Sequence, residues 1–328
     1  MGIERNKVIE ASELSAPARF FGKALIELAE PNMYLLDMAE YSIDDGEWQP
    51  MEELLRIDNI ARKECGIPLR RREVAQPYLL PEETACHNIS LRFIIDSEID
   101  LDTCMLGLED RAHTQIQWNG KQIIAQSSGW YVDHAIETIP LPGIRKGRNL
   151  LQVSVPLGKR TNLEYMYLLG SFGVKVCGTS KCIIQFPVQI GLSDITHQGL
   201  PFYTGNLSYK FHINTKEHAF VRVPAYRGAL VHALVDGKSI GRIVFSPYVL
   251  ELAGVEPGEH ELELVLYGTR QNGFGQLHHT PGIWFYQSPN SWRSTDQLWR
   301  YEYHLKEAGI LQSPELYNAI FTEGKKKG

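Results

Sequence analysis

The chain has 328 residues, of which 43% are hydrophobic, 10% aromatic and 22% charged, so it can bury a core and divide into about two or three domains. A formal charge of -6 with both signs interspersed offers no basic stripe to neutralise a nucleic-acid backbone, and DNA or RNA is not an expected partner. No apolar run approaches the roughly twenty residues that cross a bilayer, so a membrane is not expected either, and Met1 to Asn6 lacks the apolar core of a signal peptide. Localisation stays open, since a fragment would have lost its parent's export signal.

In chain order, Tyr34-Leu35-Leu36-Asp37-Met38 and Tyr41-Ser42-Ile43 read as strands closed by the turn Asp44-Asp45-Gly46. Met51, Leu54, Leu55, Ile57, Ile60, Ala61 and Cys65 recur at helical spacing, and Gly66 with Pro68 supplies a stop, which predicts one helix near 51–65. Arg70 to Pro81 reads as an irregular linker, and Ile89 to Ile95 as an early strand of the following domain.

Beyond that point the chain repeats itself weakly. Ile116 to Ile123, turning at Asn119-Gly120, has its counterpart in Ala233 to Ile240, turning at Asp236-Gly237; both pairs suit two-residue hairpin loops because each central residue tolerates positive φ. Lys146-Gly147-Arg148-Asn149 precedes the strand Leu150 to Val155 as Pro257-Gly258-Glu259-His260 precedes Glu261 to Leu266. Each strand is followed by a related polar triplet, Arg160-Thr161-Asn162 and Arg270-Gln271-Asn272. Short strands with Gly and Pro turns and no alternating helices predict a mainly β chain of tandem antiparallel β-sandwiches. The expected division is an N-terminal connecting segment with the helix over 1–84, a first sandwich over 85–185 and a second over 186–328.

Five cysteines, Cys65, Cys86, Cys104, Cys177 and Cys182, are an odd number, so at least one thiol is free. Cys177 and Cys182 flank a hairpin turn and either bridge it or pack there. Reduced, buried thiols are the expectation. No CxxC and no cysteine or histidine pair has zinc-ligand spacing, and His278-His279, adjacent in a strand, face opposite ways; no metal or other cofactor is expected.

Gly199-Leu200-Pro201-Phe202-Tyr203-Thr204-Gly205-Asn206-Leu207-Ser208-Tyr209 resembles the opening of the glycoside hydrolase family 2 type of sugar-binding jelly roll, within the galactose-binding-like superfamily. Val235-Asp236-Gly237-Lys238, Gly241 to Tyr248 and Tyr267 to Gly275 resemble its later landmarks, so the likeness covers most of 195–280 and, less closely, 85–177. The resemblance implies galactose-binding-like jelly rolls in the C-terminal portion of a large bacterial glycoside hydrolase, the chain being a non-catalytic carbohydrate-binding or accessory module. Its implied partners are a glycan or oligosaccharide and the catalytic domain of the parent hydrolase.

Sugar binding needs aromatic faces to stack on a pyranose and polar side chains to read its hydroxyls. Two loop clusters offer these: Trp130, Tyr131, Asp133 and His134 in the first unit, and Tyr203, Tyr226, Arg227, Arg270, Asn272 and His278, with His279, in the second. The competing readings are that Trp130 is core and that Arg270 and Asn272 tie down a connection by bonding backbone. Two other functions stay open: a structural spacer docking through Trp284, Phe285, Tyr286, Trp292 and Trp299, and a hydrolase in its own right. Glu109-Asp110 is the obvious acid pair for the latter, although acids before a strand are commonly solvated or capping. A docking module predicts an exposed apolar patch, a sugar binder a concave aromatic site, and an enzyme two acids in one pocket with one pKa raised.

Overall fold

The computed structural model describes residues 16–20, 22–70, 84–280, 293 and 295–318. The chain is mainly β, built as two antiparallel sandwiches, each with its own apolar core.

In the first sandwich a five-stranded sheet runs Gly129–Tyr131, Asp133–Ile144, Leu101–Leu108, Met166–Gly170, Asn32–Leu36. It faces a larger sheet centred on His87–Ser97 and Gly147–Leu157, two eleven-residue strands paired along their whole length from Gly147↔Ser97 to Leu157↔His87. Alternation explains the pairing: Ile89, Leu91, Phe93 and Ile95 point inward from one strand and Leu151, Val153 and Val155 from the other, all buried. Met38–Ile43 and the hairpin Gly173–Cys177/Ser180–Ile184 share the other edge of His87–Ser97, the latter through a short parallel contact at Cys182↔Asp96. In the second sandwich the order Gln189–Gly191, Lys23–Leu28, Leu207–Thr215, Gly258–Leu266, Val231–Val235, Lys238–Ile243 faces Ala18–Arg19, Glu315–Asn318, Ala219–Arg222, Val249–Glu251. The stretch read as a connecting segment supplies strands to both: Lys23–Leu28 lies inside the second sandwich and Asn32–Leu36 and Met38–Ile43 inside the first.

The expected helix spans Leu54–Glu64. The Glu53 carboxylate caps it by accepting from the Arg56 N–H at 3.2 Å, Gly66 at φ +68 turns the chain away, and Leu54, Leu55, Ile57 and Ala61 bury one stripe in the first core. Among the described residues no helix is long and apolar enough to cross a membrane.

The repeat holds down to single hydrogen bonds. Asn119 and Gly120 take φ +49 and +78, Asp236 and Gly237 +50 and +74, as a tight hairpin requires. In both units the turn side chain then bonds the neighbouring strand: Leu150 N–H donates to Asn119 Oδ1 at 2.8 Å, and Glu261 N–H to Asp236 Oδ1 at 2.9 Å. All five cysteines are free; the register sets Cys182 opposite Lys175 and Cys177 opposite Ser180, so the hairpin does not bring the two thiols face to face. Of the five only Cys104 is buried, and Cys86 and Cys177 are exposed, against the expectation of buried thiols.

Candidate ligand-binding groove

Asp37 is the one acid between two apolar strands of the first sandwich, and it is fully buried. An ion there needs partners, since desolvation of an isolated carboxylate is prohibitive. It has three: the Lys181 ammonium, His278 Nε2 at 2.9 Å and the Tyr303 hydroxyl, donating at 2.9 Å. Burial pushes the Asp37 carboxyl up, but Lys181 and His278 outweigh it and hold it at about 2. One carboxylate thus gathers a hairpin of the first sandwich and two points of the C-terminal segment.

A second buried acid, Glu53, extends the network. Its Oε1 accepts from the Tyr165 hydroxyl at 2.7 Å and its Oε2 pairs with Arg56 at 2.8 Å, while burial raises its pKa. The Arg56 guanidinium lies 3.6 Å from the centre of the Trp299 ring, which meets the Tyr301 ring edge-on at 4.4 Å. Tyr301 in turn donates its hydroxyl to Glu52 at 2.9 Å. The segment 299–303 is therefore strapped across the helix start and the Asp37 network.

Beside the strap opens a groove of about 530 Å³, lined among others by Tyr34, Leu36, Met51, Asp96, Arg148, Lys181, Tyr301 and Glu302. Tyr301 and Met51 are half exposed at its mouth. Lys181 stands in the groove wall while its ammonium is committed to Asp37. Arg148 and Asp96 pair at 3.5 Å. An aromatic wall with donors and acceptors of both charges suits a small polar ligand with an apolar face.

Several candidates read from the sequence sit elsewhere. Trp130 is 54% exposed, so the reading that it is core fails; its ring lies 4.3 Å from that of His134 between centroids, tilted by 42°, on the hairpin Gly129–Tyr131/Asp133–Ile144. Its neighbour Tyr131 points the other way and is buried against Tyr167 and Phe274 at 6.0 and 6.2 Å, its hydroxyl without a hydrogen-bond partner among the described residues. Asp133 accepts from the Ala135 N–H at 2.8 Å and shapes the turn. Arg270 forms a two-pronged pair with Glu30, and Tyr203, buried, donates to the Asn206 carbonyl at 2.6 Å. Tyr131 packs on Phe274, at the end of the short helix that Arg270 precedes, so parts of the two loop clusters lie near one another where the sandwiches touch. Asn272 clamps Lys306 through both backbone groups, at 2.7 and 2.9 Å, and Arg70 bonds Asn162 and the carbonyls of Arg160 and Thr161, so both polar triplets tie connections. Tyr226 bonds the Ile243 carbonyl at 3.2 Å, and Arg227 lies within 3.8 Å of Glu307. His278 is buried, with Nδ1 on the Arg300 carbonyl at 3.0 Å and Nε2 on Asp37, which leaves no nitrogen for a ligand. Trp284, Phe285, Tyr286 and Trp292 lie outside the described residues, and Trp299 is occupied by Arg56.

Of the acid pair, Asp110 bonds His113 Nδ1 at 2.6 Å in a short 3-10 turn. Glu109 has a different neighbour: Asn162 Nδ2 donates to it at 3.5 Å, and Glu164 is pushed up to about 7 by burial and then by the Glu109 charge. Sequence reading missed Lys181, Tyr301 and Glu164. A lone acid in the apolar run Tyr34 to Met38 was the one visible sign that a buried cation had to lie opposite.

The molecule is thus a two-sandwich β protein with a ligand-sized groove beside a buried ionic network. No protein-family model matches the chain, and no curated protein matches it. Among solved structures it is similar to a rhamnosidase from Novosphingobium sp. PP1Y, at 13% identity and TM-score 0.29, over 72% of this chain and 23% of that one. It is also similar to a GH2 β-galacturonidase from Eisenbergiella tayi, at 10% identity and TM-score 0.25, over 76% and 38%, and to a β-D-mannosidase from Dictyoglomus thermophilum, at 12% and 0.26, over 76% and 32%. The chain therefore spans well under half the length of each of these enzymes, and at such scores the similarity decides neither fold nor activity.

Proposed function

We propose that the chain is a carbohydrate-binding accessory module whose sugar site is the groove walled by Tyr34 and Tyr301. The observation that carries this reading is the groove's make-up: a tyrosine face held by the Glu52 hydrogen bond, beside Arg148, Asp96, Lys181 and Glu302. A pyranose presents one apolar face and a ring of hydroxyls, which is what such a wall accommodates. One stacked ring and a few hydrogen bonds give weak binding, about -4 to -6 kcal/mol, or millimolar to high micromolar. A glycan array followed by titration calorimetry tests it. Tyr301→Ala should weaken binding about tenfold or more while leaving the melting temperature near that of the parent, because the side chain is half exposed. Binding that survives Tyr301→Ala but is lost in Trp130→Ala would move the site to the exposed Trp130–His134 pair; no binding to any polysaccharide would leave the chain a structural spacer.

A second reading, hydrolysis by the chain itself, has one observation in its favour: the carboxyl of Glu164, held near neutrality beside Glu109, as a general acid requires. Turnover of aryl glycosides that disappears in Glu164→Gln would establish it.

A further inference from the structure

Asp44, Cys65 and His87 are 21 and 22 residues apart in sequence and belong to three different elements, the turn after Met38–Ile43, the end of the helix Leu54–Glu64 and the start of His87–Ser97. The fold brings one donor atom from each, a carboxylate oxygen, a thiol sulfur and an imidazole nitrogen, to within 4.8 Å of one another. We propose that these three side chains form a binding site for one divalent cation of the zinc class, with a fourth position open to water.

The donors are positioned independently of any ion. Asp44 exchanges two bonds with Asn88, its N–H donating to the Asn88 carbonyl at 2.9 Å and its Oδ1 accepting from the Asn88 N–H at 2.8 Å. That fixes the carboxylate with Oδ2 turned to His87 Nδ1, 2.7 Å away. Cys65 caps the helix, its N–H bonded to the Ala61 carbonyl at 2.9 Å, and Gly66 at φ +68 carries the chain off. A second-layer hydrogen bond that orients a ligating carboxylate is the usual support of a metal centre. The donor set is mixed nitrogen, sulfur and oxygen, which suits zinc and its substitutes cobalt and cadmium better than magnesium or calcium. Three protein donors with one open position match the geometry in which zinc retains a water. Asp44 is exposed and Cys65 and His87 are partly so, which provides the entry path a buried trio would lack. On binding, the Asp44–His87 hydrogen bond breaks, metal–sulfur, metal–nitrogen and metal–oxygen bonds replace waters released from the cation, the Cys65 thiol proton leaves to water, the imidazole binds neutral with its one proton on the nitrogen that does not ligate, and no electron is transferred. The cation would pin the helix end to two adjacent strands of the first sandwich.

Cobalt titration of the full chain reads the site directly, because a thiolate ligand produces a near-ultraviolet charge-transfer band. One equivalent of Co²⁺ should produce that band and one equivalent of Zn²⁺ should abolish it. Cys65→Ser should remove the band, His87→Ala should weaken Zn²⁺ binding about tenfold or more, and Cys86→Ser and Cys177→Ser should keep the band. Zn²⁺ should raise the melting temperature of the parent chain and leave that of Asp44→Asn, a change at an exposed position, unmoved. Absence of the band, its survival in Cys65→Ser or its loss in Cys86→Ser would each overturn the proposal.

Discussion

Lys181 and Glu164 show how much a single ionisable side chain controls in a sheet protein. Removing the ammonium by Lys181→Met would leave the Asp37 carboxylate buried without its lysine, with His278 and Tyr303 still bonded to it, and breaking a buried pair costs up to about 3–5 kcal/mol, readable by urea denaturation at pH 7. The sign follows from the depressed Asp37 pKa: its contribution is complete above the unfolded value of 3.8 and is lost as pH falls toward about 2. Glu164 works in the opposite sense. Its folded pKa of about 7 stands above the unfolded 4.5, so the folded state holds the extra proton between them and stability falls as pH rises through that window. Glu164→Gln should flatten that decline and leave the variant more stable than the parent at pH 8, on the order of 2 kcal/mol for a partly exposed group. A parent whose stability is level from pH 5 to 7.5 would contradict this.

Elements were legible where local chemistry leaves one solution. The Asn119-Gly120 and Asp236-Gly237 loops were readable because both central residues must reach positive φ. Gly237→Ala, at φ +74, should cost about 1 kcal/mol by denaturation without altering the sheet signature in circular dichroism. The helix was readable from its apolar stripe and its Gly66 stop. The segment Tyr34 to Ile43 read correctly as strands, but its place within the first sandwich did not show, because strand partners as distant as Leu168 for Tyr34 and Leu91 for Tyr41 leave no trace in local periodicity. Glu53 as a helix cap was missed for a similar reason: its second bond, to Tyr165, spans 112 residues.

At the scale of the whole molecule the two sandwiches are joined by side chains, not only by the chain. Phe274, at the end of the short helix Gln271–Phe274 that follows Gly258–Leu266, packs on Tyr131 and Tyr167 of the first sandwich, at 6.2 and 5.1 Å between ring centres. Lys23–Leu28 completes the second sandwich before the chain enters the first. Unfolding of the parent should therefore be one calorimetric transition. Phe274→Ala, which removes a half-buried ring at that junction, should lower stability by about 1–3 kcal/mol and separate the transition into two. A variant that melts in one step at the parent's temperature would show that the ring contributes nothing to the coupling.

The sequence by itself determined the fold class, the repeat and its two hairpin turns, because these rest on backbone preferences and alternation within about ten residues. Tertiary structure alone decided that Trp130 faces water while Tyr131 is buried, since a bend at Val132, φ +65, and a shift of register between them set which faces out. It alone placed Lys181, His278 and Tyr303 around Asp37, set Tyr301 at the mouth of a groove, and brought Asp44, Cys65 and His87 together. The physical reason is common to all of these: a buried charge or a binding site is assembled from strands distant in sequence, and only closure of the sheets brings their side chains within bonding range.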